Sequence, residues 1–391
     1  MKPLAVYVHI PFCTVKCGYC DFNTYAGMDA LKPSYRDAVV AEAAAWSQTL
    51  GERLTTSIAF GGGTPGEVAA RDIAAIIDAV GRAWPLAADA EVSLEANPGT
   101  SDPAHFARLR AAGVTRLSLG AQSFDAAELR FLDRIHSPQA IAASYRAARD
   151  AGFASISLDL IYGLPGQEPN AWQANVREAL ALGPDHLSLY ALTVEPGTPL
   201  AIHVESGQVA PPDPDVAADM YEWSVAELAR SGFEHYEISN WARPGHRSMH
   251  NQVYWTDRDY LGPGAGAHGY IDGMRVENIA HPRRYIARER ALTGDGRAIA
   301  AMYRPDDVMA RSDWLTSRLR LLDGFEAAEF EARFGTTIEA AVGEPLQAAA
   351  EAGLMDLSPR VRLTERGCLL HGEIAARFLA HLERTAVARR R

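Results

Sequence analysis

Cysteine is scarce in this chain: four in 391 residues. That excludes a disulfide framework, which pairs even numbers of cysteines spread through a small secreted domain. A surplus of positive charge is also missing. Aspartate and glutamate number 49 against 38 lysines and arginines, a formal net charge of −11. Nucleic acid is therefore not an expected partner, because phosphate binding needs concentrated Lys and Arg. The final Arg389-Arg390-Arg391 reads as a solvated basic end. No apolar run of about 18 residues occurs, so no membrane-spanning helix is expected. The start, Met1-Lys2-Pro3, runs into a strand and lacks a signal-peptide layout. Reduced cysteines without an export signal point to the cytoplasm. What remains is an ordinary globular composition, 48% hydrophobic and 22% charged, long enough for one large domain and a smaller one.

Against that scarcity, three of the four cysteines fall within eight residues, Cys13-Thr-Val-Lys-Cys17-Gly-Tyr-Cys20. They follow the apolar run Leu4 to Ile10, a strand pattern, so they sit on a loop leaving a strand end. Thiolates this close are placed to face one soft metal centre. Structural zinc takes four protein ligands, so a zinc site here needs a distant His. A [4Fe–4S] cluster held by three cysteines leaves one iron open to a small molecule.

Strand and helix patterns then alternate. Strands are expected at Thr56–Phe60, Glu91–Ala96, Arg116–Gln122, Ser155–Ile161 and His186–Val194. Helices are expected between them, among them Pro33–Leu50, Arg71–Trp84, Pro138–Ala151 and Pro214–Arg230. Six strand–helix units predict an α/β fold with a parallel sheet, too few units for a closed eight-fold barrel and enough for an open, partial one. In such sheets ligands bind at the carboxyl ends of the strands. Those ends carry the cysteines, then Gly61-Gly62-Gly63-Thr64-Pro65, Glu95 with Asn97, Gln122 with Arg134 in the helix beyond, and Asp159. Glycines let a ligand approach the backbone closely.

The stretch Tyr7-Val-His-Ile-Pro-Phe-Cys13 to Cys20-Asp-Phe22 resembles the radical S-adenosylmethionine (radical SAM) superfamily, and within it the HemN and HemW branch. Its CxxxCxxC loop, Gly61 to Pro65, Leu94 to Pro98, Leu119 to Ser123 and Leu158 to Gln167 are similar to signatures of that branch. The resemblance implies a partial (β/α)6 radical SAM barrel over residues 1–235. It implies that Cys13, Cys17 and Cys20 hold a [4Fe–4S] cluster. It assigns Tyr7, Tyr19, Gly62, Gly63, Thr64, Glu95, Gln122, Arg134 and Asp159 to SAM.

After residue 235 the pattern changes. Residues 236–299 carry an added strand near Glu234 to Ile238, then His250-Asn251-Gln-Val-Tyr254-Trp255 and a glycine-rich loop holding His268. The HNxxYW stretch resembles HemW proteins, which implies haem binding, with His250 the candidate ligand and His268 the next. Chemically, a neutral imidazole ligates haem iron and aromatic rings pack on a porphyrin. The alternative from the residues alone is a hydrogen-bonded core histidine. Residues 300–391 read as mostly helical with a short hairpin, a winged-helix-like domain, in which Cys368 is an inert buried thiol.

The resemblance thus implies a haem chaperone that passes haem to a haem protein such as a respiratory enzyme. It leaves homodimerisation and peripheral membrane contact open. The enzymatic alternative is oxygen-independent coproporphyrinogen III dehydrogenation. HemN enzymes place a further cysteine where this chain has Phe22, and they carry an N-terminal extension before the first strand.

Overall fold

The computed structural model describes residues 1–389; Arg390 and Arg391 lie outside it. Six strands run parallel: β1 (Lys2–Ile10), β2 (Arg53–Gly62), β3 (Leu86–Ala96), β4 (Arg116–Gln122), β5 (Ser155–Tyr162) and β6 (His186–Ala191). They lie side by side in chain order, each paired with the next. Helices α1 (Lys32–Leu50), α2 (Ala70–Ala83), α3 (Pro103–Ala111), α4 (Ala126–Phe131), α5 (Pro138–Asp150) and α6 (Pro169–Leu182) lie between them in the chain, and α7 (Pro199–Glu205) and α8 (Pro214–Arg230) follow β6. The six expected units are present, and the sheet stays open.

Alternation along the strands separates two environments. Ile58, Leu94, Leu117, Leu119, Leu158 and Leu187 are fully buried in the apolar core. Their neighbours on the opposite face are polar: Ser57, Glu95, Ser118, Asp159 and Ser188. Register places Glu95 opposite Ser118, Ser118 opposite Ser157, and Asp159 opposite Ser188. One face of the sheet is thus an oily contact with helices and the other a hydrophilic concavity.

Both sheet edges are extended by further short strands, antiparallel to their neighbours except where the first of them joins β1 in parallel. Beyond β6 lie β7 (Glu234–Glu237) and β8 (Asn240–Ala242), with β8 inserted next to β6. Beyond β1 lie β9 (Tyr260–Leu261), β10 (His268–Ile271), β11 (Met274–Asn278) and β12 (Ile299–Tyr303), making one sheet of twelve strands. The HNxxYW segment forms α9 (Met249–Trp255). Glu42 on α1 anchors the glycine-rich turn between β9 and β10. It is fully buried and accepts from Gly264 N at 3.1 Å, Asn278 Nδ2 at 2.7 Å and Tyr285 Oη at 2.5 Å. At the C-terminus, helices surround the short hairpin pairing Met355–Asp356 with Arg362–Leu363, as expected of a winged-helix-like unit. No helix among the described residues is long and apolar enough to cross a membrane.

Candidate functional site

The cysteine loop leaves β1 and is pinned at both ends. The chain pairs Phe12–Cys13 with Tyr25–Ala26 where it returns. Asn23, three residues past Cys20, donates from Nδ2 to the carbonyls of Ala265 and Ala280, each at 2.9 Å. His9 Nε2 lies 3.0 Å from the Asn23 carbonyl, which can only accept, so the ring proton is on Nε2. Nδ1 then accepts from Tyr7 Oη at 3.1 Å. Burial lowers the His9 pKa and keeps it neutral for this role.

The second strand end closes on the same loop. Gly63 N donates to the Ile10 carbonyl at 2.7 Å and Thr64 N to the Phe12 carbonyl at 2.8 Å. A Cβ on Gly63 would stand 2.5 Å from the Phe12 oxygen, so only glycine fits against the chain entering the cysteine loop. Gly62 holds φ at +109°, a value other residues rarely adopt.

A hydrogen-bonded chain then runs from one cysteine to another. Thr64 Oγ1 lies 3.5 Å from Cys13 Sγ and accepts from Asn97 Nδ2 at 3.0 Å. Arg134 donates to Asn97 Oδ1 and to the Gly120 carbonyl, and its Nη1 is 3.7 Å from Cys17 Sγ. Arg134 belongs to a turn rather than to the helix expected there, because α4 stops at Phe131 and Asp133 takes φ +51°. Asp133 Oδ2 accepts from Gly18 N at 3.1 Å, which ties this turn to the cysteine loop. Gln122 holds φ at +64° where the β4–β5 register shifts, a strained position of the sort found at ligand sites.

These groups enclose one cavity of about 400 Å³. Cys13, Cys17, Cys20, Tyr19, Gly62, Gly63, Thr64, Glu95, Gln122, Arg134 and Asp159 all line it. Tyr7 does not. It lies on an adjoining chamber of about 170 Å³, which shares Glu95, Ser118, Asp159 and Tyr190 with the main cavity. Tyr7 thus reaches the site through its neighbours Glu95 and His9. Tyr190, Thr193 and Glu195 also line the main cavity and were not anticipated, although the same strand-end rule, applied at β6, finds them.

Two carboxylates set the electrostatics. Burial and the nearby Asp159 carboxylate push the Glu95 pKa from 4.5 up to about 7, while the Gly62 N–H holds it down. Burial also raises Asp159, opposed by hydroxyl donors: Ser118 Oγ at 2.8 Å and Ser157 Oγ at 3.1 Å. Between about pH 4.5 and 7 the folded state therefore binds more protons at Glu95 than the unfolded chain. Stability of the ligand-free protein is expected to fall as pH rises through that window, by up to about 1.4 kcal/mol per pH unit from this group. Denaturation midpoints at about pH 5 and about pH 7 for wild type and Glu95→Gln test this; equal slopes in the two proteins rule Glu95 out as the titrating group.

His250 is not part of the cavity. It is 2% exposed, and both ring nitrogens are engaged: Nδ1 with Ser57 Oγ and Nε2 with Tyr254 Oη, each at 2.8 Å. Burial lowers its pKa to about 3. It faces the smaller chamber beside Tyr7, with ring centroids 6.4 Å apart. In this geometry it offers no free lone pair to an iron, contrary to the expectation of a haem ligand. His268, the second candidate, is exposed at the start of β10.

A family model described as the radical SAM superfamily matches residues 7–179, and one for the HemN C-terminal domain matches residues 313–370. The heme chaperone HemW of Mycobacterium tuberculosis is 40% identical over 382 residues, covering 97% of this chain and 95% of that protein. The heme chaperone HemW of Escherichia coli is 34% identical over 389 residues, covering 97% and 99%. Among solved structures, the coproporphyrinogen III oxidase HemN of Escherichia coli superposes with a TM-score of 0.83 at 25% identity, covering 97% of this chain and 91% of that one. A matching core, a matching C-terminal domain and these full-length relatives place the chain in the HemW family of the radical SAM superfamily.

Proposed function

We propose that the main cavity holds a [4Fe–4S] cluster on Cys13, Cys17 and Cys20 with SAM beside it, and that the protein binds haem and passes it to a haem-accepting protein, a respiratory enzyme being the expected class. The observation that carries the first half is convergence: three thiols and groups from the ends of β2 to β5 line one cavity. Its volume falls within the roughly 300–1,000 Å³ of small-molecule sites.

The donor set fits these cofactors. Among the described residues, no three Cys, His, Asp or Glu side chains close around a point suited to a single metal ion. Zinc needs its ligand atoms within about 2.3 Å of one centre, whereas a cluster of eight atoms spans thiols set farther apart. The bare backbone of Gly62 and Gly63 admits a close ligand, and Arg134 Nε is buried without a partner. Arg134 suits a carboxylate; Glu95, Gln122 and Asp159 suit amino and hydroxyl groups. When bound, the cluster supplies redox chemistry and an open iron for SAM.

Haem delivery is carried by the full-length similarity to proteins named heme chaperones. The fold shared with HemN favours a second reading, decarboxylation of coproporphyrinogen III. One experiment separates the two. Anaerobically reconstituted protein is given SAM, reductant and coproporphyrinogen III, and separately haem followed by a haem-free acceptor. Haem retention and transfer without protoporphyrinogen support the chaperone; multiple turnovers of decarboxylation overturn it.

Asp159→Asn tests the SAM assignment. It keeps the shape but removes the charge that Ser118 and Ser157 address. SAM affinity is expected to fall by about tenfold, the scale of one charged hydrogen bond, with iron content unchanged. Unchanged affinity in calorimetric titration would take Asp159 out of the SAM site.

A further inference from the structure

A line of buried hydrogen bonds runs from Asp159, on the wall of the main cavity, to the start of the HNxxYW helix. Ser157 Oγ lies 3.1 Å from Asp159 Oδ1 and 2.8 Å from His186 Nδ1. His186 Nε2 lies 2.8 Å from Tyr236 Oη, which accepts at 3.3 Å from the amide of Ser248, the N-cap of α9. Ser157 and His186 are opposite partners on β5 and β6, and Tyr236 comes from β7. None of Ser157, His186, Tyr236 and Ser248 is more than 5% exposed. The hydrogens along the line run in one sense. As a carboxylate Asp159 only accepts, so the single hydroxyl hydrogen of Ser157 goes to it. Ser157 Oγ then accepts from His186 Nδ1, and Nε2 accepts from the Tyr236 hydroxyl. Burial and the neighbouring Arg116 guanidinium hold the His186 pKa well below 6.5, so the ring carries the one proton that this order needs.

We infer that His186 and Tyr236 are positioning residues for SAM, acting through Ser157 to fix Asp159 as an acceptor that faces the main cavity. The inference rests on the SAM reading above. Ser157 and His186 line the smaller chamber and not the main cavity, whereas Asp159 lines both. A ligand in the main cavity therefore meets Asp159 and not the line behind it. Asp159 needs that line because burial disfavours its charged form, and the serine hydroxyls oppose the burial. A serine hydroxyl rotates to suit its surroundings, and Ser188 Oγ, 3.4 Å from Ser157 Oγ, is a competing acceptor. With the His186 N–H seated on its oxygen, Ser157 keeps its hydrogen on Asp159. Ser118 and Ser157 supply two hydrogens between them. A carboxylate has about four acceptor sites, so room is left for a hydroxyl or amino group of the ligand. Each bond also polarises the next toward Asp159, and a fully satisfied buried network is rigid.

The test is a calorimetric titration of SAM into anaerobic, cluster-loaded protein. Tyr236→Phe, which removes one hydroxyl and keeps the ring, and His186→Ala are each expected to weaken SAM binding by about threefold to tenfold, the scale of one hydrogen bond, with iron and sulfide unchanged. His186→Gln, which keeps a donor and an acceptor, is expected to recover part of the loss. The deciding readout is the double-variant cycle with Asp159→Asn. Once the carboxylate is gone, His186→Ala is expected to cost less than about twofold more, because its effect passes through Asp159. The same loss in both backgrounds makes His186 a support of the fold alone and overturns the inference, as does wild-type affinity in both His186→Ala and Tyr236→Phe. Should His186→Ala fail to fold, Tyr236→Phe taken through the same cycle decides. Wild-type protein that binds no SAM defeats the SAM reading and this inference together, whereas wild-type binding with equal losses in the cycle defeats the inference alone.

Discussion

Replacing Cys17 with serine is expected to strip iron and sulfide from the protein and to take SAM binding with them. Serine preserves size and hydrogen bonding, so the loop keeps its anchors: Gly18 to Asp133, Asn23 to Ala265 and Ala280, and the Leu200 amide to Gly18. What changes is the donor atom. A hard hydroxyl oxygen replaces a soft thiolate that Arg134 Nη1 approaches at 3.7 Å, and two cysteines do not hold a cluster that requires three. Iron per chain is expected to fall by at least about tenfold, since even outer-shell changes at metal sites cost 10- to 100-fold. Because SAM would be held in part by the open iron, its binding is expected to fall in parallel. Far-ultraviolet circular dichroism is expected to stay that of wild type. The matched control is Cys368→Ser. That thiol is buried in the C-terminal unit, where burial pushes it up to about 11, and it is expected to leave iron content untouched. Full iron in Cys17→Ser would remove the cluster assignment, and zinc without sulfide in the wild type would replace it with a structural metal.

The legible parts of this chain are those in which local pattern and long-range packing agree. The six parallel strands announce themselves because each is apolar toward the helices and is followed by a helical pattern. Asp125 caps α4 and Asp213 caps α8 through side-chain acceptance, as Asx residues before apolar runs suggest. The cavity was legible for the same reason, since strand ends in such a sheet meet in space whatever their separation in sequence. Strand β3 begins at Leu86, five residues before the visible alternation, because Ala87 to Ala90 have little strand preference and are held by position in the sheet. Strands β9 to β12 were illegible for a stronger reason. They are two to five residues long and rich in turns, and they form through pairing and the buried Glu42 anchor rather than through propensity. The role of His250 could not be read at all: a His–Asn–x–x–Tyr–Trp string is equally consistent with a ligand and with a core junction, and only burial and partners distinguish them.

His250→Ala is expected to act on the fold before it acts on haem. The imidazole lies in a junction of three elements. Below it, Ser57 of β2 holds Nδ1. At its own helix start, Glu91 of β3 accepts from the amides of Met249 and His250 at 3.2 and 3.0 Å, and Ser248 Oγ lies near the same carboxylate. One turn on, Tyr254 takes Nε2, and Trp255 stacks under the Arg320 guanidinium at 4.5 Å, which itself pairs with the buried Glu237. The HNxxYW helix thus links the barrel strands to the C-terminal domain. Truncating His250 opens a cavity and leaves two buried hydroxyls short of a partner. Together these predict a loss of about 3 kcal/mol, seen as a melting midpoint several degrees lower. His250→Gln, which keeps a donor and an acceptor, is expected to recover part of it. The pH dependence gives an independent check. The folded state holds His250 neutral down to about pH 3, whereas an unfolded histidine protonates near 6.5. Between these values the unfolded chain binds more protons, so the wild type loses stability as pH falls through that window. The alanine variant lacks this contribution, and its stability is expected to decline less steeply on acidification. His136 and His235, held near 4 by burial, keep some of the slope in both proteins. A wild-type melting midpoint and acid limb in His250→Ala, joined to a lost haem spectrum, would return His250 to the role of iron ligand.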